Sequence, residues 1–220
     1  MTTRSVRPTV CLTFDNGSTS GITEPVLDLL ADHGVPATFF AIGRKLTTPP
    51  GQQLGQRIVE AGHQLGGHTW THSVQFGLAA DNVVDGELSR TRAAVDAAGG
   101  DGLLFRPYGA GGVIDERLMS PFGASALRSL GYTCVLWNVL PGDWRDQDGW
   151  VDAALAGIDG QQCPVVVLHD VADAALGHLD EFLTAVEQRG VEWSMTFPDD
   201  CTPIRDGLPT SSFGTLCPTT

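Results

Sequence analysis

Short apolar runs alternate along this chain with segments in which apolar residues recur every three to four positions. Residues 9–14 form an apolar run typical of a buried strand, and Val26, Leu29 and Leu30 then lie on one face of a helix predicted over residues 25–33. Further strands are predicted over residues 36–42, 103–105, 132–139, 164–168 and 191–195, with a short strand or loop over 64–68. Further helices are predicted over residues 53–61, 81–98, 120–130, 150–158 and 176–189.

The repeated strand–helix units predict an α/β fold built on a parallel sheet. Buried strands rich in Val and Leu, each followed by a helix, are typical of either a barrel or an open doubly wound sheet. In both architectures the chemistry lies where strands end and the following loops begin. Polar residues with catalytic potential follow predicted strands at five such places: Asp15, His68, Arg106, Asp143 and His169. Their positions predict one site at the carboxyl ends of the strands.

The composition indicates an ordinary folded protein with a strongly acidic surface. The chain has 220 residues, of which 42% are hydrophobic and 18% charged, and its formal net charge is −13. We expect a single domain over residues 1–220, with its core over about 9–195 and an irregular tail over about 197–220. An acidic surface repels phosphate backbones and anionic lipids, which argues against nucleic acid or a membrane as a partner. The charge is compatible with a neutral sugar, an amide or a metal cation.

No targeting segment is evident in the sequence. Residues 1–8 carry charge but precede no apolar stretch of signal-peptide length, and no run of about 18 apolar residues occurs anywhere. We therefore expect a cytoplasmic location, and the pattern indicates no particular oligomeric state. The five cysteines include no Cys-x-x-Cys motif, which disfavours a thiolate zinc site. Cys201 and Cys217 are the candidates for one disulfide bridge.

Two short motifs carry candidate metal-binding chemistry. His68 and His72 lie four residues apart, and on a helical turn such residues share the face that a divalent metal needs. Taken alone, a pair of this kind more often represents structural histidines than a metal site. The segment Asp15-Asn16-Gly17 offers a third ligand, although Asp and Asn before Gly are also the residues that tight turns prefer.

These motifs belong to an ordered series of segments. In chain order the sequence contains Thr13-Phe14-Asp15-Asn16-Gly17, Ala37-Thr38-Phe39-Phe40-Ala41-Ile42-Gly43, His68-Thr69-Trp70-Thr71-His72, Phe105-Arg106-Pro107-Tyr108-Gly109, Asp143-Trp144 and Val167-Leu168-His169-Asp170. This series resembles the motifs of the NodB-homology polysaccharide deacetylases, or carbohydrate esterase family 4. The resemblance extends from about Thr9 to about Trp193 and implies a distorted (β/α) barrel with a groove at the strand ends. It also implies metal-assisted removal of N-acyl groups from amino sugars.

The resemblance implies an acid–base pair of side chains. Asp15 matches the family's catalytic base, which takes a proton from the attacking water, and Arg106 matches the arginine that orients this carboxylate and keeps it ionised. His169 matches the general acid that protonates the departing amine, and Asp143 matches the residue that keeps this imidazole charged.

The remaining matches concern the oxyanion, the pocket wall and the metal. Tyr108 lies in the segment whose backbone N–H helps to hold the oxyanion of the tetrahedral intermediate, and Trp144 walls the pocket. His68 and His72 match the two histidine ligands of one divalent metal ion, expected to be zinc, or else cobalt or nickel. The third ligand of the family is usually an Asp, and here that position is Asn16. An amide oxygen is a neutral ligand, so we expect weaker metal retention.

Three hypotheses for the function follow from these matches and departures. The first is a metal-dependent N-deacetylase of an N-acetylated sugar or oligosaccharide. The second is a metal-independent hydrolase of a small cyclic imide, a ureide or another amide, which the neutral Asn16 also fits. The third is a catalytically impaired carbohydrate-binding protein in which Trp70, Trp137 and Trp144 stack on sugars. A shortened segment, Arg106-Pro107-Tyr108 in place of the usual Arg-x-Pro-Tyr, further predicts a shifted oxyanion loop.

Overall fold

A computed structural model of the chain describes residues 8–216. The β-strands are β1 (Thr9–Asp15), β2 (Thr38–Ala41), β3 (Gln64–Gly67), β4 (Leu104–Phe105), β5 (Thr133–Cys134), β6 (Val165–His169), β7 (Glu192–Trp193), β8 (Ile204–Arg205) and β9 (Leu208–Pro209). The α-helices are α1 (Thr23–His33), α2 (Pro49–Glu60), α3 (Asp81–Ala97), α4 (Pro121–Ser129), α5 (Trp150–Ile158), α6 (Leu179–Glu187) and α7 (Phe213–Leu216). Short 3₁₀ segments connect several of these elements.

The strands form a curled sheet that closes into a distorted barrel. Its order is β6-β1-β2-β3-β4-β5-β8-β9, and β7 pairs with the start of β1. All pairings from β6 to β5 are parallel, whereas β8 and β9 are added in antiparallel orientation. Beyond β5 the chain returns to β6, where Val139 forms a single parallel bridge with Val166. The predicted α/β class and distorted (β/α) barrel are therefore confirmed.

The strand predicted over residues 132–139 is wrong in its extent. Regular pairing stops after Cys134 and resumes only at the Val139 bridge. Between them, the carbonyl oxygens of Val135 and Leu136 accept hydrogen bonds from the Arg106 guanidinium, at 3.3 and 3.2 Å. A buried side chain thus takes the acceptors that a neighbouring strand would use, and the sheet is interrupted at this point.

The helices cover the outside of the barrel with the apolar faces that the sequence predicts. In α3, Val84, Leu88 and Val95 are buried, in agreement with the expected spacing. Two helices begin at a residue whose side chain accepts a hydrogen bond from the first turn: Thr48 caps α2 and Ser120 caps α4. Each capping residue is followed by a proline.

The tail after residue 197 is more regular than expected. It contributes β8, β9 and α7, and β8 pairs with β5 through Cys134 and Ile204. Phe197 and Cys201 are buried among barrel residues that include Cys11, four positions before the end of β1. The tail therefore packs against buried residues of the sheet. The proposed Cys201–Cys217 bridge involves Cys217, which lies outside the described residues. No helix within residues 8–216 combines the length and apolar character needed to cross a membrane.

Candidate active site

A cleft of about 380 Å³ opens at the carboxyl ends of the strands. Asp15 and His169 are the last residues of β1 and β6, and they are paired in register. His68 and Arg106 directly follow β3 and β4. The lining of the cleft includes eight of the residues or segments predicted from the sequence: Asp15, Asn16, His68, His72, Tyr108, Trp137, Trp144 and His169. Asp143 and Arg106 lie directly behind this lining, because each contacts one of its members.

Arg106 crosses the interior of the barrel to reach Asp15. Its Nη1 donates to Asp15 Oδ1 at 2.8 Å and to Thr13 Oγ1 at 2.7 Å. The guanidinium is fully buried and lies 4.2 Å above the Phe40 ring, while Asp15 is only 4% exposed. Because Oδ1 is taken by the arginine, Oδ2 is the oxygen that faces His68, with His68 Nε2 at 3.6 Å.

The arginine also determines the charge of Asp15. Burial acts to raise the pKa of this carboxyl, but the positive charge of Arg106 outweighs burial and lowers the pKa below its usual value. Asp15 is therefore a carboxylate over the neutral pH range. It has one oxygen held in place and one oxygen free to accept a proton.

His169 is held by both oxygens of a buried carboxylate. Its ring Nδ1–H donates to Asp143 Oδ1 at 2.9 Å, and its backbone N–H donates to Asp143 Oδ2 at 2.8 Å. Burial acts to lower the pKa of His169, but the hydrogen bond and charge of Asp143, helped by Asp15 and Asp170, raise it above the usual value. Nε2 is left on the cleft side of the ring, so a protonated His169 can donate from there.

Replacing Asp143 with Asn is expected to move the basic limb of the pH–rate profile to lower pH. The amide carries no charge and offers one oxygen to the two N–H donors of His169, so the pKa of the imidazole falls and its proton is lost earlier. The measurement is kcat/KM against pH for the parent and the variant. Asp148→Asn, on an exposed side chain nearby, is the control and should leave the limb in place. An unmoved limb in the Asp143 variant would contradict this arrangement.

His68 and His72 stand together, although not on a helix. They lie in an irregular loop in which Thr69 and His72 have φ of 60° and 55°, and their ring centroids are 4.9 Å apart. The helical turn anticipated for this pair is therefore absent, yet the loop brings both imidazoles to the cleft. His68 Nδ1–H donates to the carbonyl oxygen of Arg106 at 2.9 Å, which leaves Nε2 with a lone pair.

Both imidazoles are neutral at physiological pH. Burial lowers the pKa of His68, despite the opposing charge of Asp15. Burial, and then the neighbouring His68, lower the pKa of His72 to about 3. Neutral imidazoles with available lone pairs are the form that binds divalent metals.

Asn16, which lines the same cleft, contributes a buried polar atom. Its backbone is in the left-handed region, with φ of 74°, and its side-chain Oδ1 is buried without a hydrogen-bond partner among residues 8–216. A buried amide oxygen of this kind is costly unless a ligand satisfies it. No group of three His, Cys, Asp or Glu side chains in this part of the chain is arranged to hold a metal. Two neutral imidazoles with Asn16 therefore fit a divalent metal, but as a set without charge.

The rest of the cleft lining is aromatic and rich in glycine. The Tyr108 ring lies 4.1 Å from the His72 ring, and the Trp144 ring lies 4.5 Å from the His169 ring. Trp137 Nε1 donates to the Gly112 carbonyl at 3.2 Å. Leu140 occupies the position that a Cβ on Gly112 would take, so this loop requires glycine. Tyr108 itself lines the cleft, and its backbone N–H makes no backbone hydrogen bond within residues 8–216.

Comparisons with known proteins agree with this architecture. The model of the polysaccharide deacetylase family matches residues 3–135, more than half of the chain. The chain therefore belongs to the polysaccharide deacetylase family. The resemblance seen in the sequence is confirmed.

Individual relatives extend the match beyond residue 135. The peptidoglycan-N-acetylglucosamine deacetylase PgdA of Listeria monocytogenes is 31% identical over 190 residues, which are 84% of this chain and 37% of the relative. This chain thus spans little more than a third of that protein. A chitooligosaccharide deacetylase of Sinorhizobium fredii is 36% identical over 167 residues, covering 74% of this chain and 72% of the relative. The structure of a family 4 carbohydrate esterase from Streptomyces lividans, in complex with acetate, superposes with a TM-score of 0.73 at 27% identity. The superposition covers 90% of this chain and 97% of the esterase.

Proposed function

We propose that the protein is a metal-dependent N-deacetylase of an N-acetylated amino sugar within an oligosaccharide. The observation that carries the proposal is that a candidate base and a candidate acid lie side by side at the ends of adjacent strands. Arg106 lowers the pKa of Asp15, and Asp143 raises the pKa of His169. Both face one cleft, beside Asn16 and the two neutral histidines. The names of the relatives, which act on peptidoglycan and on chitooligosaccharides, support a sugar amide as substrate.

Asp15 is the base for the first half of the reaction. A water molecule attacks the amide carbon of the acetamido group, and its proton passes to Asp15 Oδ2, because Oδ1 is held by Arg106. The carbonyl oxygen gains negative charge as the tetrahedral intermediate forms. The backbone N–H of Tyr108 is the donor that this chain offers to that oxygen.

His169 is the acid for the second half of the reaction. The carbon–nitrogen bond breaks, and the nitrogen takes the proton that His169 holds at Nε2, so that the free amine leaves instead of an amide anion. Asp143 supports the imidazolium through Nδ1 and accepts no proton itself. Acetate and the amino sugar are the products, and transfer of the proton from Asp15 back to the histidine restores the starting state.

Asn16, His68 and His72 would hold the divalent metal. When bound, such an ion polarises the amide carbonyl and makes the attacking water more acidic. The three ligands are neutral, so a dipositive ion here would leave a net charge of +2, against +1 where the third ligand is Asp. We therefore expect the ion to be lost readily during purification.

Metal loading is the experiment that tests this proposal. The protein is expected to bind about one zinc, cobalt or nickel ion per chain after loading, to release acetate from N-acetylated chitooligosaccharides or peptidoglycan fragments, and to lose that activity on chelation. Asn16→Asp should tighten metal binding by roughly tenfold or more, because it adds a charged ligand. Metal content by elemental analysis and acetate release are the measurements.

The outcomes of this experiment separate the proposal from its alternatives. Activity that survives chelation would show a metal-independent amide hydrolase. An uncharged ligand set is more compatible with that alternative than a set containing Asp, because it holds a metal less tightly. Saccharide binding without acetate release at full metal loading would indicate a carbohydrate-binding protein. Unchanged metal affinity in Asn16→Asp would remove Asn16 from the ligand set.

A further inference from the structure

The loop that carries His68 and His72 is held from two sides. Its carbonyl groups face the segment after β2: the Thr69 and Trp70 oxygens accept from the Gly43 and Arg44 N–H groups, at 2.9 and 3.2 Å. Two of its residues, Thr69 and His72, adopt left-handed φ values that residues other than glycine rarely adopt. A non-glycine backbone in that region persists only where its surroundings hold it.

On the other side, one carboxylate accepts hydrogen bonds from three donors of the loop. Glu87 Oε2 accepts from the Trp70 N–H at 2.7 Å and the Thr71 N–H at 3.0 Å. Glu87 Oε1 accepts from the Thr71 hydroxyl at 2.7 Å, and that hydroxyl lies 2.6 Å from Ser73 Oγ. All three donors belong to Trp70 and Thr71, which lie between the two histidines in the sequence.

Glu87 is placed for this contact by its helix. It lies on the buried face of α3 beside Leu88 and Thr91, and it is only 7% exposed. A carboxylate at such a position is costly unless its oxygens are hydrogen-bonded. The neighbouring Arg90 adds a second contact from the same helix, with its guanidinium 4.1 Å from the Trp70 ring centroid.

The direction of the His72 ring depends on this backbone. His68 is oriented by its own hydrogen bond to the Arg106 carbonyl. His72, in contrast, is positioned by ring contacts with His68 and Tyr108 and by the turn that precedes it, where its N–H donates to Thr69 Oγ1 at 3.1 Å. The peptide groups that set this turn are the ones that Glu87 holds.

We propose that Glu87 is the positioning residue of the two-histidine loop: it fixes the backbone between His68 and His72, and thereby the placement of His72 as a metal ligand. The inference rests on the proposed metal-dependent function. Groups that orient metal ligands from outside the coordination sphere commonly change metal affinity by 10- to 100-fold. Glu87 acts through hydrogen bonds to the backbone, so an isosteric acceptor should replace it.

The test measures cobalt binding to metal-free protein by visible absorption in four variants. Glu87→Ala is expected to weaken Co²⁺ binding by roughly 10- to 100-fold and to alter the d–d spectrum. Glu87→Gln should stay within about threefold of the parent, because its oxygen can accept both N–H groups and its NH₂ can donate to the Thr71 hydroxyl. Thr71→Val, which removes one of the three hydrogen bonds to Glu87, should weaken binding by roughly three- to tenfold. Asp85→Ala, on an exposed position of the same helix, should match the parent.

Amide hydrogen exchange of residues 68–73 in the metal-free proteins supplies the second measurement. Faster exchange in Glu87→Ala, restored in Glu87→Gln, supports the proposal. Parental cobalt affinity in Glu87→Ala, or equal loss in Glu87→Ala and Glu87→Gln, would overturn it. If Glu87→Ala does not fold, Thr71→Val decides, and parental affinity there overturns the proposal. If the parent takes up no cobalt, the metal-dependent function fails, and the exchange comparison alone decides the role of Glu87.

Discussion

Replacing Asp15 with Asn is expected to reduce kcat by roughly a thousandfold, the scale of a lost general base. The side chain keeps its shape, and Nη1 of Arg106 can still donate to an amide oxygen at Oδ1. What disappears is the oxygen able to take a proton from water. The measurement is acetate release under saturating substrate and metal.

Metal content distinguishes loss of the base from loss of the site. Because Asp15 is assigned as base and not as ligand, the variant should bind nearly as much metal as the parent while losing turnover. Asp32→Asn, on an exposed position of α1, controls for the change of residue type and should retain full activity. Turnover of Asp15→Asn within tenfold of the parent would exclude Asp15 as the base.

Replacing Arg106 with Met is expected to destabilise the fold by roughly 3–5 kcal/mol, or roughly 6–20 °C in Tm. The guanidinium is fully buried, and its removal leaves the Asp15 carboxylate without its ionic partner. The carbonyl groups of Val135 and Leu136 also lose their donors, beside the bridge that closes the barrel. Arg189→Met, which breaks a surface pair with Asp159 at 3.2 Å, is the matched control and should cost about 1 kcal/mol or less.

The loss caused by Arg106→Met should depend on pH in a defined direction. In the parent, the pKa of Asp15 is depressed by folding, so its ionisation stabilises the native state above the unfolded pKa, and this contribution is lost as pH falls through the folded pKa. Without the arginine, burial raises that pKa and the contribution is absent. The stability gap between parent and variant should therefore be larger at pH 7 than at about pH 3, as measured by denaturant unfolding. A gap that is constant with pH would show that Arg106 stabilises the fold by packing alone.

The sequence predicted the fold and the neighbourhood of the site because both depend on local pattern. Alternating strands and helices predicted a parallel sheet, the family resemblance predicted its closure into a barrel, and chemistry at strand ends follows from the parallel arrangement. Asp15, His68, Arg106 and His169 therefore converge on one cleft or directly behind it. The polar residues stood out because each interrupted or ended an apolar run.

The parts that were missed depend on contacts between distant segments. The predicted extent of the strand after residue 132 was wrong, because the strand is limited by the guanidinium of Arg106, which follows β4. Glu87 was not predicted for a similar reason, because the residues that donate hydrogen bonds to it lie 16 and 17 positions earlier in the sequence. A signal for it did exist, since a Glu next to Leu88 and three positions after Val84 lies on the face of α3 expected to be apolar.

The antiparallel addition of β8 has a consequence for where this fold can be divided. An unpaired strand edge is a template for association with other chains, and proteins cover or interrupt such edges. Here β8 covers the outer edge of β5, and the Cys201 carbonyl takes the Leu136 N–H at 2.7 Å just beyond it. A boundary placed after the last strand–helix unit, near Trp193, would preserve every predicted catalytic residue. It would also expose this edge and the adjoining interior, so the tail serves as protection against self-association as much as a part of the sheet.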